Sequence, residues 1–347
     1  MTCPTCRSVA FLETLECAQC LTPLGFHRQS SSMLAVSMGG VVLDGRTWVV
    51  CSNRAWGCNW LLPDDEGTAR CAVCRLIRKQ PDADDTMAWE KLATAAVDLR
   101  RLLVQLHEVG LPVVGWHERA GGLGFDLLSS RTANTPVMIG HANGIITMDL
   151  VESLADYRES MRVRLGEAYR TMLGHFRHEV GHYYEWILVE SAGDPTLLEH
   201  CRRLFGDERA SYSDAIDRHY RLGPPDGWQT TYISEYATMH PWEDFAECFA
   251  HYLHIQGTLS TAASGGLVLR ADQLPEVLTE DLVPGQDYRD RPVERILDDW
   301  RVLSLFFNRI NRAMGRDDLY PFAIPDPVAR KLAFVHRLVR GAAEAAQ

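Results

Sequence analysis

Three residues of one short segment have the types and spacing of a metal site that can drive hydrolysis. His178, Glu179 and His182 form the pattern HExxH within His-Glu-Val-Gly-His. On a helix the two histidines lie one turn apart on one face, so both imidazoles can bind a single Zn²⁺. Glu179 then lies close enough to take a proton from an activated water without binding the metal. The segment therefore predicts a catalytic zinc with Glu179 as general base.

A second acidic segment later in the chain can supply the third ligand. Pro241 suits the first turn of a helix, on which Glu243 and Glu247 share one face at i and i+4. Two carboxylates on an otherwise apolar face are costly to bury without partners. We expect Glu243 to bind the zinc and Glu247 to orient a ligand histidine through a hydrogen bond. The alternatives are the reverse assignment of the two glutamates and a solvated helix face.

Cysteines are crowded at the N-terminal end, where eight of the ten precede residue 75. They form two sets of four, and a CxxC pair can direct two thiolates to one ion. The first set is Cys3, Cys6, Cys17 and Cys20, and the second is Cys51, Cys58, Cys71 and Cys74. We expect two structural zinc sites, because four thiolates leave no open position on the metal. Reduced buried thiols, iron in place of zinc, and ligands crossed between the sets are the alternatives.

The cofactor complement expected from these motifs is three zinc ions, one catalytic and two structural. Three further histidines lie near the motifs and are not expected to be ligands. His175 precedes His178 by one turn and is expected to pack beside the site, because the i, i+4 pair already fills both helix positions. His251 and His254 follow Glu247 on the predicted helix and are expected to be structural.

Composition limits the class of protein. The chain has 347 residues, 46% of them hydrophobic, and a formal net charge of −11. No apolar run approaches the roughly 20 residues of a membrane span, and the N-terminus lacks the pattern of a signal peptide. Crowded cysteines without such a signal favour metal binding in a reducing, cytoplasmic compartment. The acidic balance makes nucleic acid an unexpected partner, because phosphate binding needs clustered Lys and Arg.

The patterns predict an α+β chain with two parts. Residues 1–80 form a small β-rich zinc-ribbon domain, 81–86 an acidic linker, and 87–347 a larger, mainly helical domain with a small sheet. Asp44-Gly45 and Asn143-Gly144 are typical of hairpin turns. A helix is expected from Asp85 or Thr86 to Gly110. Strands are expected at 125–128, 137–139 and 145–148, and mostly helices follow from about residue 151.

The combined motifs resemble the gluzincin metallopeptidases of the anthrax lethal factor and Mlc titration factor type. The chain is more closely similar to bacterial zinc-binding metallopeptidases that carry an N-terminal zinc-ribbon region. The matching stretches are 51–60, 140–144, 170–184, 243–247 and 319–322. The resemblance implies a zincin-like domain, Glu243 as third ligand, and Tyr236 as the group that stabilises the oxyanion. His240 departs from the wider group, in which a small capping residue often precedes the proline.

Peptide-bond hydrolysis is therefore the expected activity, with a peptide or protein substrate. The zinc-ribbon region is expected to serve docking or regulation, with a protein as its partner. The alternative is a zinc-ribbon adaptor or nucleic-acid-binding regulator whose peptidase-like domain is not catalytic. The intact Glu179 argues against that alternative, because a binding module needs no general base. Hydrolysis of a non-peptide amide would use the same catalytic residues.

Overall fold

The computed structural model describes residues 1–132, 137–150 and 171–345. Packing divides the chain into two units, Met1–Val104 with Val113–Leu154, and Gln105–Pro112 with Ala155–Gln347. The α+β class is confirmed, with small sheets in the first unit and mostly helices in the second. The domain boundary expected at 81–86 is a division by sequence pattern and stays a prediction. None of the described helices has the length and apolar character that crossing a membrane requires.

The N-terminal part of the first unit consists of short antiparallel strands. These are β1 (Leu24–His27) with β2 (Ser32–Ala35), and β3 (Gly40–Leu43) with β4 (Arg46–Val50) and β5 (Leu61–Pro63). Asp44 and Gly45 form the predicted turn between β3 and β4, with φ values of 49° and 77°. Val36, Trp48 and Leu61 form a small buried core. A chain segment this short buries little apolar surface, so bound metal is a natural second source of stability.

A four-stranded sheet completes the first unit, in the order β6-β7-β9-β8. Its strands are β6 (Ile77–Lys79), β7 (Gly124–Leu128), β8 (Gly140–Ala142) and β9 (Ile145–Asp149), and α1 (Ala72–Leu76) precedes β6. The strand expected at 137–139 is wrong. Asn143 and Gly144 alone form the turn, with φ values of 51° and 87°, so pairing begins at Ala142 opposite Ile145. Residues 140–142, which lie between the two expected strands, therefore form β8.

Helix α2 (Thr86–Glu108) contributes residues to both units. It begins where the sequence predicts, because the Asp85 carboxylate accepts a hydrogen bond from the Ala88 N–H at 3.0 Å. Gly110 follows its end with a φ of 81°, which suits a glycine after a helix.

Six helices make up most of the described second unit. They are α3 (Met172–Glu185), α4 (Pro195–Phe205), α5 (Tyr212–Leu222), α6 (Pro241–Ser264), α7 (Val293–Ala313) and α8 (Asp326–Ala345). Helix α3 continues into a π-helical turn at Trp186–Glu190.

Short 3₁₀ turns occur in both units, at Ser52–Trp56, Asp64–Glu66, Trp228–Thr230, Tyr236–Thr238 and Ala271–Gln273.

Helices α3 and α6 carry the two predicted zinc-binding segments, and both begin with a side-chain cap. The Thr171 hydroxyl accepts from the Gly174 N–H at 3.0 Å and caps α3, which begins six residues before His178. Pro241 is the first residue of α6, and the His240 imidazole accepts from the Trp242 N–H at 3.2 Å. His240 thus performs the capping role of the smaller residue that it replaces.

Gly181 allows α3 and α6 to approach closely. A Cβ atom at this position would lie 2.9 Å from the Ala246 Cα, which is closer than real contacts permit. Glycine inside a helix costs about 1 kcal/mol relative to alanine. Here it lets the two backbones touch between the histidine segment and the glutamate segment, so side chains from both helices can meet.

Two buried histidines on α6 are expected to make the folded protein less stable in acid. Burial, opposed by Glu247, lowers the pKa of His251 to about 4, and burial with Arg177 lowers the pKa of His254 to about 2. In the unfolded chain both have a pKa near 6.5, so below that pH only the unfolded state takes up these protons. Each histidine should therefore cost roughly 2 kcal/mol of stability between pH 7 and pH 5.

A variant separates this effect from other titrating groups. In His254→Gln, the drop in unfolding free energy from pH 7 to pH 5 should be about 2 kcal/mol smaller than in the wild type. Urea unfolding of the zinc-loaded protein at both pH values measures this difference. An equal drop in the two proteins would contradict the assignment of a neutral, buried His254.

Candidate functional site

Three side chains from α3 and α6 converge on one point, and we call them the HHE site: His178, His182 and Glu243. The Nε2 atoms of His178 and His182 are 3.2 Å apart. Glu243 Oε2 lies 2.9 Å from the first nitrogen and 3.5 Å from the second. His178 is 8% exposed and Glu243 only 2%. The helix spacing read from the sequence therefore brings the two imidazoles and this carboxylate together.

Glu247 lies behind His178. Its Oε1 is 2.7 Å from His178 Nδ1, the nitrogen that faces away from the HHE site. Its Oε2 accepts a hydrogen bond from the Ser234 hydroxyl at 2.6 Å. A carboxylate in this position fixes the tautomer and the orientation of the ring. The geometry favours the expected assignment of the two glutamates over the reverse one.

Glu179 is buried beside the HHE site, with one oxygen held and the other unpaired. Its Oε1 is 3.3 Å from His175 Nε2, and no hydrogen-bond partner within the described residues contacts its buried Oε2. Burial raises the pKa of Glu179, but His175 and the ring charges of His178 and His182 outweigh burial and leave the pKa below its ordinary value. The carboxylate is thus kept ionised, with one free oxygen that can accept a proton.

A tyrosine that the sequence did not single out contacts the site. The Tyr212 hydroxyl, at the start of α5, donates to Glu243 Oε1 at 2.7 Å and also has Tyr236 as a hydrogen-bond partner. Tyr236 lies with its ring centroid 5.8 Å from that of His178. The structure therefore brings Tyr236 to the site, as the resemblance implies, and adds Tyr212. No motif or spacing links Tyr212 to either metal-binding segment.

The HHE site has the donor set and the dimensions of a zinc site. Tetrahedral zinc with bonds of about 2.0–2.1 Å places its ligand atoms about 3.3 Å apart, which matches the observed separations. Burial lowers the pKa of His178, but Glu243 and Glu247 outweigh it and raise that pKa well above its ordinary value. A metal would take the place of this proton, because a histidine ligand must be neutral. Three protein ligands leave a tetrahedral ion one open position.

The eight N-terminal cysteines form two separate clusters, each made of one of the expected sets. Within them the sulfur atoms of Cys3 and Cys20 are 3.7 Å apart, and those of Cys58 and Cys71 are 3.6 Å apart. Disulfide sulfurs lie about 2.05 Å apart, whereas a tetrahedral zinc site with Zn–S bonds of about 2.3 Å places them about 3.8 Å apart. The clusters therefore fit metal binding, and the crossed arrangement of ligands is not the one observed.

Two predicted segments lie partly outside the described residues, namely the helical region expected from about residue 151 and the stretch 170–184 that carries part of the resemblance. The segment 170–184 begins with Arg170, which lies outside the described residues. From Thr171 onwards the segment forms the cap and body of α3.

Comparisons with known proteins agree with this geometry. Residues 85–338 match the model of a family described as "Putative zinc-binding metallo-peptidase", and residues 1–85 match a zinc-ribbon domain. Uncharacterised proteins of Mycobacterium bovis and of two Mycobacterium tuberculosis strains are 42% identical over 345 residues. Each alignment covers 97% of this chain and 94% of the relative. No solved structure gives a significant match. The family descriptions and the cysteine clusters together support zinc binding.

Proposed function

The chain belongs to this family of zinc-binding metallo-peptidases, with a zinc-ribbon domain N-terminal to the peptidase region, and we propose that it hydrolyses peptide bonds at the HHE site. The observation that carries the proposal is the convergence of His178, His182 and Glu243 with the free oxygen of Glu179 beside them. Zinc bound there would supply Lewis acidity, which activates water and polarises a carbonyl. The ligand set of two histidines and one glutamate is that of a gluzincin.

Glu179 is the proposed general base. Its unpaired, buried Oε2 accepts the proton of the attacking water and later delivers a proton to the leaving amine. His175 holds the other oxygen, so the carboxylate is positioned before substrate arrives. The lowered pKa of Glu179 keeps it ionised near neutral pH, the state that a base requires.

The two tyrosines have different proposed roles. Tyr236 donates its hydroxyl hydrogen to the substrate carbonyl oxygen as negative charge develops there. Tyr212 holds Glu243 Oε1, which leaves Oε2 as the single oxygen directed at the two histidines. A one-oxygen ligand keeps a coordination position open for water, whereas a carboxylate that binds through both oxygens would occupy it.

Tyr212→Phe should therefore weaken zinc binding at the HHE site about 10-fold, since loss of a partner that orients a ligand typically costs 10–100-fold. Titration against a competing chelator measures this affinity. Tyr220→Phe is the matched control, because Tyr220 is on the same helix and 62% exposed. Equal affinities in the two variants would contradict the positioning role of Tyr212.

Metal removal and restoration test the activity itself. Full-length protein is incubated with a mixed peptide library, and the cleavage products are identified by mass spectrometry. We expect cleavage by the zinc-loaded protein, loss of cleavage after dialysis against a chelator, and recovery when zinc is added back. A zinc-loaded protein that cleaves no peptide, at any length or sequence in the library, would contradict the proposal.

The zinc-ribbon clusters have a separate proposed role. Each four-thiolate shell is closed, so its metal stabilises the fold of the first unit and does no chemistry. The ribbon then serves docking or regulation, with a protein partner.

A further inference from the structure

A cavity of about 410 Å³ lies next to the HHE site. Leu198, Tyr212 and Trp242 supply its apolar and aromatic walls. Tyr212 belongs to both places, because its ring lines the cavity while its hydroxyl donates to Glu243. The volume lies within the roughly 300–1,000 Å³ of ligand-binding pockets. An occupant of the cavity would therefore be one side chain away from a candidate zinc ligand.

Two charged residues that line the cavity are already neutralised by neighbours. Glu208 accepts from the Arg202 guanidinium at 2.9 Å. Arg209 makes a paired contact with Asp207, at 2.7 and 2.6 Å. Each of these ion pairs is neutral by itself, so neither determines which ligand the cavity accepts.

Glu190 is different, because its partner is neutral. Its Oε1 accepts from the Trp242 indole N–H at 2.8 Å, and no cation lies within ion-pair distance in the described parts of the chain. The Trp242 ring in turn lies 5.9 Å from the Tyr212 ring, at 43°. The cavity is therefore lined by an exposed carboxylate that makes no ion pair with the described residues, beside two aromatic rings.

A buried carboxyl group also responds to the charge of Glu190. Glu185, the buried last residue of α3, has its pKa raised well above the ordinary value chiefly by burial, and nearby carboxylates that include Glu190 raise it further. Burial is the larger cause, and the contribution of Glu190 adds a negative potential on the side where its carboxylate lies. Such a potential attracts cations and repels acidic side chains.

We propose that this cavity is the subsite for a basic side chain, arginine or lysine, of the peptide substrate. The aliphatic stem packs against Leu198 and the aromatic rings, and the cationic head pairs with Glu190 beside Trp242. This inference deepens the proposed function and rests on it for the identity of the substrate.

Peptides that differ at one residue test the preference. Arg, Lys, norleucine, Gln and Glu are placed in turn at each position flanking the cleaved bond. At one position, kcat/KM for Arg or Lys should exceed that for norleucine by about 10-fold, and Glu190→Gln should remove most of that ratio. Glu199→Gln is the matched control on α4, since Glu199 is exposed and does not line the cavity. A preference for neutral or acidic residues at every position, or an unchanged ratio in Glu190→Gln, would overturn the inference.

A binding measurement separates this inference from the proposed function. N-acetyl-arginine amide and N-acetyl-norleucine amide are titrated into the full-length, zinc-loaded protein by calorimetry or NMR. Tighter binding of the arginine compound, weakened about 10-fold in Glu190→Gln, supports the subsite even if no peptide is cleaved. Equal binding of both compounds, or binding unaffected by Glu190→Gln, contradicts the subsite even if peptides are cleaved.

Discussion

Glu179→Gln should reduce kcat by about 10²–10⁴-fold while every zinc ion stays bound. Glutamine fills the same space and keeps a hydrogen-bonding oxygen, but it cannot accept a proton. His178, His182 and Glu243 are untouched by the change, so the metal content should not alter. Turnover of a cleaved peptide and elemental analysis of the same sample measure the two quantities together.

The control for this experiment is Glu276→Gln, which makes the same chemical change at an exposed residue of the second unit. It should retain both activity and zinc. Full turnover by Glu179→Gln would exclude Glu179 as general base. Loss of zinc together with activity would instead mean that Glu179 acts as a ligand.

His178→Ala has the second large expected effect, on metal content. We expect three zinc ions per wild-type chain, two in the cysteine clusters and one at the HHE site, and two per chain in the variant. Removal of one of three protein ligands lowers affinity steeply, and hydrolysis should be lost with the metal. Elemental analysis per chain gives the count directly.

His175→Ala is the control for this count, since His175 lies on the same helix one turn before His178 and contacts Glu179, not the zinc ligands. It should retain three ions. Two ions in both the wild type and His178→Ala would show that only the cysteine clusters hold metal. Because alanine also leaves Glu247 without its imidazole partner, thermal unfolding of each variant should accompany the measurement.

The ligand residues could be predicted from sequence because local geometry determines them. On any helix, His178 and His182 share a face, and so do Glu243 and Glu247. Pro241 indicates where the second helix begins. The prediction also required the two helices to meet in the fold. This was expected because two carboxylates on an apolar helix face are costly to bury unless partners such as a metal and its histidines lie opposite them.

Tyr212 could not be predicted in this way. It belongs to no recognisable sequence motif. Its hydroxyl reaches Glu243 only because α5 packs against the start of α6. Glu190 is a similar case, because its position depends on a π-helical turn at the end of α3. Such turns depend on tertiary packing, and no residue pattern in the segment indicates one.

The error at β8 has another origin. Val-Met-Ile at 137–139 has strand-like composition, yet the two-residue turn at Asn143 and Gly144 sets the register of the hairpin. Pairing must start beside the turn, so Gly140–Ala142 forms the strand despite weaker β propensity. Turn geometry thus outweighed side-chain preference.

The contact between Gly181 and Ala246 links two positions that are far apart in the chain. A methyl group added at 181 would push the helices apart at the level of the zinc ligands. Glycine at 246 would not relieve this, because the two nearest atoms, the Ala246 Cα at 2.9 Å and the Ala246 carbonyl oxygen at 3.1 Å, belong to the backbone. Related chains that keep both metal-binding helices are therefore expected to keep glycine at the position of Gly181, whatever small residue stands at the position of Ala246. For the evolution of this site, the glycine inside the HExxH segment is therefore constrained by the backbone of the partner helix, independently of the metal ligands on either side of it.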